Sequence, residues 1–133
     1  MKYFYIVMTI LVSLLVPGIV AADKPAESVY LDGDNSKTGL ILLHGKGKHP
    51  KWKVVNPVRE AVNKQLGYHT LSLQMPNTKK VWKQYAEDFP EAYNRIKDGI
   101  RYLQEEGVTT IYLMGHSMGG RMASGFMATN TRS

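Results

Sequence analysis

The chain has 133 residues, a length that suits one small domain or part of a larger one. Hydrophobic residues make up 44%, enough for a packed core, which excludes a disordered chain. The absence of cysteine excludes disulfides, thiolate metal sites and cysteine nucleophiles, and the formal net charge of +6 comes without the basic-aromatic periodicity of a nucleic-acid binder.

Residues 1–22 read as a leader. Lys2 gives a positive start, residues 6–16 are apolar except for Thr9 and Ser13, and Pro17-Gly18 breaks the run. Val20 and Ala22 suit signal peptidase, so cleavage is expected between Ala22 and Asp23. The run is shorter than the roughly 20 residues of a membrane span. Export to the periplasm or medium is the expectation, and an uncleaved membrane anchor the alternative.

"TGLILLHG", residues 38–45, is a continuous apolar run and predicts a strand buried on both faces. "KGKHPKWK", residues 46–53, holds four lysines and no acid. A solvated loop is the plain reading; contact with anionic membrane or cell-wall polymer is the other. Val58, Ala61, Val62 and Leu66 predict a helix over 57–67, ended by Gly67. Residues 68–76 alternate Leu71, Leu73 and Met75 with polar residues, which predicts a second strand stopped by Pro76.

Trp82, Tyr85, Phe89, Tyr93, Ile96, Ile100 and Leu103 form one buried helical stripe. Pro90 interrupts it, and Asp88 with Glu91 predicts a cap and a new helix there, closed at Gly107. A third strand over 108–114 and a third helix follow. Alternation of this kind predicts a parallel sheet with right-handed crossovers.

Gly115-His116-Ser117-Met118-Gly119 matches Gly-x-Ser-x-Gly between a predicted strand and a predicted helix. A serine on so tight a turn needs small neighbours. Gly115 and Gly119 remove colliding side chains, and Gly120 lets the helix pack closely. The Met118 N–H is one candidate oxyanion donor. His44-Gly45 closes the first strand, where a second donor is needed, and the Lys46 N–H is the candidate. Gly45 and Gly47 let that loop approach a substrate, and His44 shapes it. No histidine pair has metal-ligand spacing, so neither metal nor cofactor is expected.

Strand-His-Gly-x-Gly, then strand, helix, strand and Gly-His-Ser-Met-Gly-Gly, resembles the N-terminal half of an α/β-hydrolase, over residues 29–128. "LLHGKGKHPKW" with "GYHTLSLQMP" is similar to a bacterial family of exported α/β-hydrolase-like proteins of unassigned substrate. The resemblance implies a three-layer αβα domain over 23–133, truncated after the helix that follows the serine. It implies Ser117 as nucleophile, with Lys46 and Met118 as oxyanion donors, acting on a small-molecule or lipid acyl ester.

The superfamily order is serine, acid, histidine. His44, His49, His69 and His116 all precede Ser117, and no Asp, Glu or His follows it. Neither His116, beside the serine on the turn, nor His44, on the oxyanion side, is placed to act as base. The expectation is a fragment whose acid and base lie elsewhere, with the serine strand left as an open sheet edge. A non-catalytic envelope-binding domain and an acyltransferase are the alternatives, and oligomeric state is open.

Overall fold

The computed structural model describes residues 22–76 and 81–130. Apart from Ala22, the leader expected at 1–22 lies outside the described residues. The elements in order are β1 (Val29–Leu31), β2 (Thr38–Leu43), α1 (Val55–Leu66), β3 (His69–Leu73), a 3-10 segment (Trp82–Asp88), α2 (Phe89–Glu105), β4 (Thr110–Gly115) and α3 (Met118–Asn130).

The sheet order is β1-β3-β2-β4. β2 lies parallel to β3 and to β4, from Gly39↔His69 to Leu43↔Leu73 and from Thr38↔Thr110 to Leu43↔Gly115. β1 runs antiparallel to β3. The sheet is therefore mixed where the alternation predicted a parallel one. β1 has three half-buried residues, too few to show a period.

Three layers follow from the two faces of β2. Leu40 and Leu42 pack with Val55, Val58 and Val62 of α1. Ile41 and Leu43 pack with Leu71, Leu73, and the α2 and α3 residues Ile96, Leu103, Met122 and Phe126. Alternate residues of a strand face opposite ways, so one continuous apolar run feeds both cores. Each of these fully buried leucines and isoleucines contributes about 1.5–3 kcal/mol.

α2 buries Ala92, Ile96, Gly99 and Leu103, one stripe at helical spacing. A Cβ on Gly99 would sit 3.2 Å from Leu73, so the glycine lets helix and sheet approach. The predicted stripe holds from Phe89 onward, whereas Tyr85 is half-buried and faces a cavity. The predicted cap is not made. Asp88 has right-handed helical angles and no capping hydrogen bond, because the 3-10 segment runs straight into α2. Pro90 fits in the first turn, where its missing N–H is not wanted.

His69 pins the β1–β2 connection at the N-terminal end of the parallel strands. The Tyr30 hydroxyl lies 2.7 Å from Nδ1, which accepts the Gly33 N–H at 3.2 Å, and Nε2–H donates to the Ser36 carbonyl at 3.0 Å. Among the described residues no helix is long and apolar enough to cross a membrane. β4 forms one margin of the sheet, with Tyr112 exposed and stacked on Tyr68.

Candidate active site

The C-terminal ends of β2, β3 and β4 gather every residue singled out by the two motifs. β4 ends at Gly115 and α3 begins at Met118. His116 and Ser117 alone join them. Ser117 takes φ +56°, a left-handed conformation that costs a residue with a Cβ about 1–2 kcal/mol. The chain tolerates it because the flanking glycines leave room for nothing else. A Cβ on Gly115 would run into the carbonyl of Gly119 and meet the Gly120 nitrogen at 2.5 Å. A Cβ on Gly119 would run into the carbonyl of Leu43 and meet that of His44 at 2.6 Å. Gly120 is less tight, with Gly115 O 3.3 Å away.

Ser117 and His116 are exposed. The turn is tied to the neighbouring strand by the His116 N–H, which donates to Leu43 O at 3.0 Å. Gly119 and Gly120 N–H groups donate to the carbonyls of His116 and Ser117. Met118 is the first residue of α3, and the opening N–H groups of a helix lack intrahelical acceptors and favour negative charge.

The loop after β2 passes directly over this turn. A Cβ on Gly45 would lie 3.5 Å from Ser117 Cβ and from His116 Nδ1. His44, 1% exposed, fixes how the loop is oriented. The Met75 N–H donates to His44 Nε2 at 2.9 Å, and the Gln74 amide nitrogen lies 3.0 Å from the same atom. Nε2 is thus the acceptor, so Nδ1 carries the proton and donates to Gly45 O at 2.7 Å. Burial holds the imidazole below its ordinary value, in keeping with a neutral ring. The Gly45–Lys46 peptide is trans. With its carbonyl turned onto His44, its N–H faces the opposite way.

Gly47 takes φ +69° with open space around it, so it is needed for its backbone angle. A narrow cavity beside the loop is lined by Met75, Met118 and Met122 together with Tyr85 and the buried Asp88. The Lys46 ammonium donates to the Tyr85 hydroxyl, and both residues line this cavity. The sequence motifs did not point to Gln74, Met75, Tyr85 or Asp88. The first two act through a backbone N–H and a carboxamide, which carry no spacing signature.

His69 and His49 are committed elsewhere. His69 is buried at the far end of the strands. His49 accepts the Lys51 N–H and lies edge-on to Trp52. Among the described residues no histidine is hydrogen-bonded to Ser117, and no group of three or more His, Asp or Glu is arranged to hold a metal ion. A hydroxyl raised on such a turn beside backbone N–H donors is the arrangement that acyl transfer uses.

A family model described as an alpha/beta hydrolase domain matches residues 36–133. The chain belongs to the α/β-hydrolase family. A search of curated proteins gave no match. Among solved structures, this α/β-hydrolase chain is similar to the ferulic-acid-bound Est1E from Butyrivibrio proteoclasticus, with a TM-score of 0.62 and 24% identity. The match covers 78% of this chain and 43% of that one. The α/β-hydrolase chain therefore spans less than half the length of that structure.

Proposed function

We propose that the protein is a serine-type acyl esterase with Ser117 as its nucleophile. The observation that carries this reading is the left-handed Ser117 turn, closed by Gly115 and Gly119, with the Gly45 backbone against it. Ser117 Oγ bonds to the acyl carbon as its proton passes to a base. The Lys46 and Met118 N–H groups receive the oxyanion. The acyl–oxygen bond then breaks, and the alcohol leaves with the proton. Water repeats the sequence and frees the acid.

The substrate in this reading is a small-molecule or lipid acyl ester, bound over the Ser117 turn rather than in the methionine-lined cavity, whose 10 Å³ suits about one water. That Est1E was solved with ferulic acid accords with a small aromatic ligand. The reading requires a histidine and an orienting carboxylate that the described residues do not bring to Ser117. Export through residues 1–22 belongs to the same proposal.

The test is covalent labelling of the full-length protein by a fluorophosphonate. Labelling that Ser117→Ala abolishes supports the reading. A folded protein that does not label, or that labels equally in Ser117→Ala, refutes it.

A further inference from the structure

Of the lysine-rich loop, the chemistry just described uses only the Lys46 backbone N–H, and Lys48, Lys51 and Lys53 take no part in it. The loop is nonetheless built into the same place. Gly45 lies against Ser117, and the Lys48 N–H donates to Gly45 O at 3.2 Å, closing a turn through Lys46 and Gly47. Lys48 is therefore one β-turn from Gly45, its Cα within about 7 Å of that residue's Cα.

The loop is a fixed platform rather than a loose tail. Pro50 is buried, and its carbonyl accepts the Ser72 hydroxyl at 2.8 Å. The Trp52 N–H donates to His49 O at 2.9 Å. Trp52 packs on the cluster of Leu40, Leu42 and Val55.

The charges are held in place as well. The Lys48 ammonium lies 4.1 Å from the Trp52 ring centre and the Lys53 ammonium 5.4 Å. One indole thus gathers two like charges, and Lys51 is exposed between them in sequence. Attraction to the ring face, about 0.5–1 kcal/mol at exposed sites, offsets part of their repulsion. A bound anion would offset the rest. No acid occurs in residues 46–53. Asp88, which lines the cavity beside the loop, is buried.

We propose that Lys48, Lys51 and Lys53 recognise an anionic group, a carboxylate, phosphate or sulfate, on the ester that Ser117 attacks. The proposal rests on the Ser117 reading and adds the substrate class to it. In this arrangement the ester bond sits at Ser117 and the anionic part of the substrate stays on the lysine platform.

The experiment uses the full-length protein and two matched esters, 4-acetoxybenzoate and its methyl ester. They differ in one negative charge. The expected ratio of kcat/KM, anionic over neutral, is about tenfold above the chemical reactivity ratio at low salt. It falls toward that reactivity ratio at about 1 M salt, where the Debye length is about 3 Å. It also falls in the triple variant Lys48→Gln, Lys51→Gln, Lys53→Gln. Because both esters are read on the same preparation, loss of folded protein does not move the ratio. Turnover of the methyl ester with no anionic preference overturns this inference alone, as does a preference that neither salt nor the triple variant changes. Turnover of neither ester counts against the Ser117 reading and takes this inference with it.

Discussion

The Met75 N–H donates to His44 Nε2 at 2.9 Å, and this bond sets which way the Gly45–Lys46 peptide faces. A residue just beyond the end of β3 thereby orients the loop that follows β2. With Nε2 occupied as acceptor, Nδ1 must be the donor, and Gly45 O is its target. Replacing His44 by Leu orphans the buried Met75 N–H, which costs about 1–3 kcal/mol. It also removes the hydrogen bond that holds the Gly45 carbonyl, and with it the orientation of the proposed Lys46 N–H donor. We expect ester turnover to fall roughly a hundredfold, the scale of losing one oxyanion donor. His44→Asn, whose amide can take the place of Nδ1, should recover part of it. Urea denaturation and kcat on a neutral ester read the two effects; unchanged turnover in His44→Leu would refute the alignment role.

The same imidazole gives a pH dependence with a definite sign. Burial keeps its folded value below 6.5. As pH falls, the unfolded chain takes up the proton first. The contribution to stability is therefore complete above about pH 6.5 and lost progressively below it, toward the folded value. Melting temperatures from about pH 8 to pH 5 should decline more steeply in the wild type than in His44→Leu. Parallel curves would show that His44 titrates alike in both states.

Gly119 and Gly120 are neighbours with different duties. A Cβ on Gly119 meets carbonyl groups of the preceding strand, which cannot swing aside. A Cβ on Gly120 meets Gly115 O at 3.3 Å, and Ala gains about 1 kcal/mol of helix propensity there. Gly119→Ala should therefore cost about 1–3 kcal/mol or more, and Gly120→Ala much less. Chemical denaturation of the pair checks the difference, and equal costs would contradict the packing described.

Ser117 pays for its exposure in backbone strain. Ala keeps the Cβ and so keeps the strain, whereas Gly relieves it at φ +56°. Ser117→Gly should be more stable than Ser117→Ala by about 1 kcal/mol, and neither should label with fluorophosphonate. A Gly variant no more stable than the Ala variant would place the turn outside the left-handed region.

The sequence showed those parts of the fold that rest on sterics and on long apolar runs. Residues 39–43 had to feed two cores because five consecutive positions are apolar or glycine. Gly115, Gly119 and Gly120 announced a crowded turn because only absent side chains fit one. The parts it did not show depend on partners with no side-chain signature. β1 is three residues that become a strand by pairing with β3. The 3-10 segment Trp82–Asp88 takes over the role a capping aspartate would have had. His44 was visible as a loop residue, but its orientation rests on a backbone N–H from Met75. The lysines could be counted, while their seating on Trp52 and Tyr85 is a tertiary fact.

The two halves of the site share one set of contacts. Gly119 rests on the carbonyls of Leu43 and His44, the His116 N–H is bonded to Leu43 O, and Gly45 lies against Ser117. No hinge separates the loop from the turn. Neither can open without tearing the C-terminal end of β2 from β4. Amide exchange should therefore find a single cooperative unit here, and heating should silence the site only when those strands part. If Ser117 acts as proposed, its alignment with the Gly45–Lys46 loop is completed when the chain folds, before any ester arrives.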